Sequence, residues 1–166
     1  NFPNVSGRFN STYQGGDADG YVARFSANGS SMLNATYIGT ANYDQNYFVQ
    51  TDLDDDVYMI GQTDGNYPVL NASYSNPNSG QYIQKLSPDL STPLLSTTIG
   101  RGNGTVDIAV NAFLVSDCDF IYFSGWGGPL NGNTALGAFA TSSTTLGMPL
   151  TSDAFQSSTD GSDFYL

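Results

Sequence analysis

Apolar and polar residues alternate along this chain in short runs, and each run stops at turn-forming residues. Tyr21, Ala23 and Phe25 fall on one face of an extended segment, with Val22 and Arg24 on the other. That is the period of a half-buried β-strand. Asn28-Gly29 follows, a pair that tolerates positive φ and predicts a hairpin turn into Met32 to Ile38, which Gly39 ends. Tyr47 to Thr51 predicts a third strand. Asp54-Asp55-Asp56 then turns into the apolar run Val57 to Ile60, a buried inner strand stopped by Gly61.

The same order returns further along. Gln81 to Leu86, a turn at Ser87-Pro88-Asp89 and Leu94 to Ile99 are followed by Ala112 to Val115, a turn at Asp117-Cys118-Asp119 and Ile121 to Ser124. Three landmarks hold the register, at offsets of 61, 61 and 64 residues: Tyr21 with Tyr82, Ile38 with Ile99, and Gly61 with Gly125. A third start, Asp163-Phe164-Tyr165-Leu166, matches Asp19-Gly20-Tyr21-Val22. A period of this length marks a repeat architecture. No window carries a sustained helical period, so the expected fold is all-β, with blades of four antiparallel strands. The division is 1–66 for a first repeat, 67–128 for a second, and 129–166 for a linker and the start of a third. Asn66 to Ser79 and Gly127 to Gln156 read as loops between blades, with a short strand at Ala135 to Thr141. The apolar faces expected to pack between blades are those of Tyr21, Phe25, Val57, Met59, Ile121 and Phe123.

Composition narrows the function classes. Fifteen acidic residues face four basic ones, Arg8, Arg24, Lys85 and Arg101, for a net charge of -11. Such a chain repels nucleic acid and anionic membranes, whose binding needs clustered Lys and Arg. No run approaches the length of a membrane span. There is no leader pattern at Asn1-Phe2-Pro3, so the chain reads as a mature product or a fragment. Cys118 is the only cysteine. It excludes an internal disulfide and reads as a small buried apolar residue. Histidine and glutamate are absent, which removes the usual general base and the commonest neutral metal ligand. The expectation is a non-catalytic protein with no cofactor.

Gly15-Gly16-Asp17-Ala18-Asp19-Gly20-Tyr21-Val22-Ala23-Arg24-Phe25, Ala35 to Gly39, Asp56 to Thr63 and Ile121 to Gly128 together resemble the SBBP-type bacterial β-propeller repeat. The form it resembles occurs in large secreted Bacteroidetes surface proteins. The resemblance covers most of residues 13 to 128. It implies an extracellular or cell-surface location and a structural or adhesive role, with no catalytic motif to carry over. About two to three blades make an incomplete propeller, since closure takes four to eight. The expected partners are therefore further copies of the chain, assembling into a fibre, or the remainder of a longer one.

Local motifs add candidate sites. Asp52, Asp54 and Asp56 have a spacing that can present carboxylates to Ca²⁺, and equally the composition of an Asp-rich turn. Asp17-Ala18-Asp19 and Asp160 to Asp163 are metal or sugar candidates, or loop residues that keep a strand edge soluble. Sequons at Asn4, Asn10, Asn28, Asn34, Asn71 and Asn103 are glycosylation candidates. Trp126 fits either packing at the end of a blade or stacking on a sugar. With Tyr residues and loop carboxylates, Trp126 defines the alternative reading, a lectin-like carbohydrate-binding module.

Overall fold

A computed structural model describes residues 8–128 and 143–166. Its described residues form β-strands and loops with no helix. The strands are β1 (Gly20–Phe25), β2 (Met32–Ile38), β3 (Asp44–Thr51), β4 (Val57–Thr63), β5 (Gln81–Leu86), β6 (Pro93–Ile99), β7 (Ala109–Val115), β8 (Ile121–Trp126) and β9 (Phe164–Tyr165). All pairings are antiparallel and no sheet closes on itself: β1-β2, β3-β4-β5-β6 and β7-β8-β9. The strand expected at Ala135 to Thr141 lies outside the described residues.

The backbone repeats as the sequence does. Gly20 pairs with Ile38 and Gln81 with Ile99, and both hairpins shift register one residue before their ends, at Arg24/Phe25 and Lys85/Leu86. Thr51 pairs with Val57 and Val115 with Ile121, and both of these hairpins carry an irregularity at the same place, Asn46/Phe48 and Val110/Ala112. The sheets, however, are offset from the sequence unit by half a period. The four-stranded sheet takes β3 and β4 from the first copy and β5 and β6 from the second.

This sheet is the middle layer, and alternation along its strands explains why. Val57, Met59, Tyr82 and Leu86 face one way, into a cluster with Ile38, Tyr67 and Leu90 that Val22 and Phe9 cover. Tyr58, Ile60 and Ile83 face the other way, onto Ile108, Val110, Phe113 and Val115 and the partly buried Ile121 and Phe123. β4 is buried along its whole length. Complete burial of each such side chain contributes about 1.5–3 kcal/mol. Gly61 is needed in β4 because a Cβ there would meet Gln45 O at 2.3 Å and the Tyr82 hydroxyl at 2.5 Å.

The 66–79 loop does more than connect. Leu70 and Ser96 exchange backbone hydrogen bonds of 3.0 and 2.9 Å, and the Asn76 N–H donates to Thr98 O, so the loop covers the outer edge of β6. Residues 9–10 cover β2 in the same way, with the Tyr37 N–H donating to Asn10 O at 3.1 Å. Covered edges do not recruit other strands.

Several expectations change. β3 starts at Asp44 rather than Tyr47 and β4 runs through Gly61 to Thr63, because amides replace apolar residues there. The Tyr47 hydroxyl donates to Gln62 Oε1 at 2.8 Å, and Gln62 Nε2 donates to Gln45 Oε1 at 3.3 Å. Phe25 is 57% exposed rather than packed between sheets, since β1 has no β4-like neighbour among the described residues. Cys118 is exposed, not buried, because it sits at the tip of the β7–β8 hairpin.

Candidate functional site

Turn geometry accounts for the Asp52, Asp54, Asp56 spacing. Asp52 Oδ1 accepts the Asp54 and Asp56 N–H groups at 3.0 and 2.9 Å, and Asp55 takes φ 63°. The β7–β8 turn is built alike, with the Ser116 hydroxyl accepting from the Cys118 and Phe120 N–H groups and Asp119 at φ 62°. A hydroxyl thus does the job of the Asp52 carboxylate. Between the remaining carboxylate oxygens sits an ammonium. Lys85 Nζ lies 2.8 Å from Asp52 Oδ2 and 2.9 Å from Asp56 Oδ2, and 4.7 Å from the centre of the Tyr58 ring. Burial pushes the Asp52 carboxyl up, but Lys85 and the turn N–H groups outweigh it and hold it below the ordinary value. At this Ca²⁺ candidate, Lys85 from β5 supplies a positive charge to Asp52 and Asp56, and Asp54 is exposed.

Two other carboxylates are handled differently, and both lie beside equivalent glycines. In the second copy a Cβ on Gly100 would touch Asp107 Oδ2 and the Ser79 side chain. Asp107 is fully buried; its Oδ2 accepts the Arg101 N–H at 2.6 Å and its Oδ1 accepts from Arg101 Nε at 2.5 Å. In the first copy a Cβ on Gly39 would lie 2.7 Å from Asp19 Oδ1 and 3.0 Å from Asp44 Oδ2. Asp44 is fully buried, and its Oδ2 accepts from the Thr40 N–H at 2.6 Å and the Thr40 hydroxyl at 2.8 Å. Asp19 Oδ2 accepts the Gln14 N–H at 2.5 Å. The second oxygens, Asp19 Oδ1 and Asp44 Oδ1, are buried with no hydrogen-bond partner among the described residues.

The electrostatics follow from that shortfall. Burial raises the Asp44 carboxyl above the usual aspartate range, against the opposing hydrogen bonds of Thr63 and Thr40. Burial and the Asp44 charge raise Asp19 and Asp64 as well. Tyr82 and Tyr67 are stacked at 4.0 Å with 3° between planes, and burial holds both phenols neutral. Burial pushes Tyr47 up to about 12.

The remaining candidates are scattered. Trp126 ends β8 at 37% exposure, its ring over the backbone of Gly128. It does not line the 410 Å³ cleft near the end of the chain, whose walls include Pro149, Leu150, Ala154, Phe155 and Phe164. Asp17 is exposed; Asp160 and Asp163 lie in the segment before β9, where the Asp160 carboxylate accepts the Ser162 N–H at 2.9 Å. Asn28, Asn71 and Asn103 are exposed in turns and loops, and Asn10 is half-buried. Asn34 lies within β2, and its sequon hydroxyl, Thr36, is fully buried. Asn4 lies outside the described residues.

Sequence reading missed Asp44, Asp107 and the Lys85 bridge. The available signal was an Asp shortly after each repeat glycine, Gly39 and Gly100, with Thr40 exchanged for Arg101. Comparison with family models, curated proteins and solved structures finds no match to this chain.

Proposed function

We propose that the chain is a non-catalytic, extracellular structural or adhesive segment of β-propeller-type repeats that acts by joining further repeats. The observation that carries this reading is the half-period offset. Among the described residues, a four-stranded layer forms only where the second half of one copy meets the first half of the next. Among the described residues the β1-β2 layer has two strands and the β7-β8-β9 layer three. Each is a part of the pattern that the middle layer displays whole. Beside β9, Leu146, Leu150, Phe155, Phe164 and Leu166 are all more than half exposed, a concentration of apolar surface that suits a further layer. Stability in such arrays comes from nearest-neighbour interfaces, so adding repeats stabilises those already present. The partners of this reading are second copies of the chain or the remainder of a longer one. The surface location rests on the resemblance and the acidic, lysine-poor composition.

Light scattering with size-exclusion chromatography, alongside electron microscopy, tests this. The expected result is concentration-dependent association or filaments, reduced by Phe164→Lys and Phe155→Lys in a chain that still folds. A monomer at every accessible concentration, neither stabilised nor captured by added repeats, would sink the reading. The lectin alternative rests on the partial exposure of Trp126. Glycan-array binding lost in a folded Trp126→Ala variant would favour it instead.

A further inference from the structure

The two copies of the repeat place carboxylates beside equivalent glycines and balance them differently. By strand register Gly39 corresponds to Gly100, Thr40 to Arg101 and Ala18-Asp19 to Ser79-Gly80. Beside Gly100 there is one carboxylate, Asp107, one guanidinium, Arg101, and a hydroxyl, Ser79. The charges cancel. Beside Gly39 there are two carboxylates, Asp19 and Asp44, and the position of the arginine is a threonine.

No basic side chain of the chain makes up the difference. Arg8 pairs with Asp89, Lys85 with Asp52 and Asp56, and Arg101 with Asp107, while Arg24 donates to Pro88 O at 3.0 Å. Those are all four cations in the sequence. Asp44 is fully buried, and of the three buried carboxylate oxygens with no hydrogen bond among the described residues, Asp52 Oδ2 lies 2.8 Å from Lys85 Nζ, while the other two, Asp44 Oδ1 and Asp19 Oδ1, belong to neighbouring carboxylates with no cation beside them. Burying a charge without a counter-charge is among the most costly arrangements a protein can adopt.

We propose that Asp19 and Asp44 bind a hard divalent cation of the calcium class, which does in the first copy what the Arg101 guanidinium does beside Asp107. The charge count selects the valence: two carboxylates need two positive charges, where Asp107 needs one. The donor set selects hardness, since every side-chain donor is a carboxylate or hydroxyl oxygen and the chain holds no histidine. Gly39 leaves the space open, because a Cβ there would lie against both carboxylates. The raised pKa values of Asp19, Asp44 and Asp64 describe the metal-free state, in which burial and mutual repulsion oppose ionisation. The site ties the segment before β1 to the start of β3, so its occupant couples the β1-β2 layer to the middle layer.

The test is thermal unfolding of the whole chain in chelator and in millimolar CaCl₂ at matched ionic strength, with Tb³⁺ luminescence sensitised by the nearby tyrosines as a direct probe. Extracellular calcium modules bind at roughly 10⁻⁴ to 10⁻³ M. Saturation is then expected to raise Tm by about 5 °C. Asp19→Asn, which leaves the Asp44–Thr40 bonds intact, is expected to weaken binding at least roughly tenfold, and Asp52→Asn to leave it unchanged. The triple variant Ala18→Ser, Asp19→Gly and Thr40→Arg imports the second copy's solution and is expected to fold without any calcium response. Absence of a calcium effect on the parent chain, with stability answering only to pH, would overturn the proposal in favour of a shared proton. A calcium effect that survives Asp19→Asn but vanishes in Asp52→Asn would overturn it as well.

Discussion

β1–β2 and β5–β6 are the same part of the repeat in two settings. Tyr21-Val22-Ala23-Arg24-Phe25 corresponds to Tyr82-Ile83-Gln84-Lys85-Leu86, with identical pairing registers. In the second setting Tyr82 and Leu86 are completely buried and Ile83 is 3% exposed; in the first, Phe25 is 57% exposed and Tyr21 half-buried. The difference is β4, which pairs with β5 and has no counterpart beside β1 among the described residues. Burial here is a property of position in a layer. The stabilising unit is the junction between two copies rather than either copy.

The largest effect should come from removing equivalent tyrosines. Tyr82 stacks on Tyr67, covers Gly61 and donates its hydroxyl to Asn46 Oδ1. Tyr82→Ala is expected to cost about 4 kcal/mol in urea denaturation. Tyr21 makes a 5.7 Å edge contact with Tyr37 and a 3.6 Å hydrogen bond to Met32 Sδ, so Tyr21→Ala is expected to cost about 1 kcal/mol. Equal costs would mean that the two settings are energetically alike and that the layer argument is wrong.

The strands were legible in the sequence, but their grouping was not. Alternation and turn residues located eight of the strands that the structure contains. Periodicity, however, fixes the length of a repeat without fixing its phase. The pattern β1-β2-β3-β4 and the pattern β3-β4-β5-β6 are equally periodic, and only the hydrogen bonds from Val57–Gln62 to Gln81–Leu86 choose between them. Polar strand ends were missed for a related reason. Asp44, Gln45 and Gln62 are partly or wholly buried, yet amides and carboxylates satisfied by one another look like loop in a hydrophobicity pattern. The acidic turn at Asp52 was visible, but its cation comes from Lys85, more than thirty residues away, and no local motif encodes that.

Ion pairs sharpen the comparison at the next scale down. Arg101→Ala leaves the fully buried Asp107 without its counter-charge and is expected to destabilise by about 2 kcal/mol, less than a fully buried pair because the arginine is 25% exposed. Arg8→Ala removes an exposed pair with Asp89 and is expected to cost under about 0.5 kcal/mol. Thermal unfolding of the two variants measures the difference, and a smaller effect at Arg101 would contradict the account of Asp107.

The pH dependence should separate the Asp52 turn from the Gly39 site by sign. Asp52 has a folded-state pKa below its unfolded value, so its contribution is complete above the ordinary aspartate value and is lost as pH falls through the folded one. Lys85→Met should flatten that acid limb and cost about 1 kcal/mol near neutrality. Asp19, Asp44 and Asp64 are raised, so in chelator the folded state holds their protons longer than the unfolded chain does. Stability should therefore fall as pH rises from the ordinary aspartate value through the folded ones, then level off. Asp44→Asn in chelator should remove part of this falling limb. A rising limb there would show that the carboxylates already have a partner.

The smallest effect concerns the two equivalent turns, where side chains matter only if the backbone uses them. Cys118 occupies the place of Asp54, and both are exposed at the tip of a hairpin. The turn needs the Cys118 N–H, which donates to the Ser116 hydroxyl at 3.4 Å, but not the thiol. Cys118→Ser is therefore expected to change stability by less than about 0.5 kcal/mol, and the native thiol to react with Ellman's reagent nearly as fast as in the unfolded chain. Ser116→Ala removes the acceptor for two backbone N–H groups, those of Cys118 and Phe120, and is expected to cost about 1 kcal/mol. A slow native thiol would mean that the β7–β8 tip is covered by another part of the molecule or by a second copy. The equivalence between the two turns would then end at the backbone.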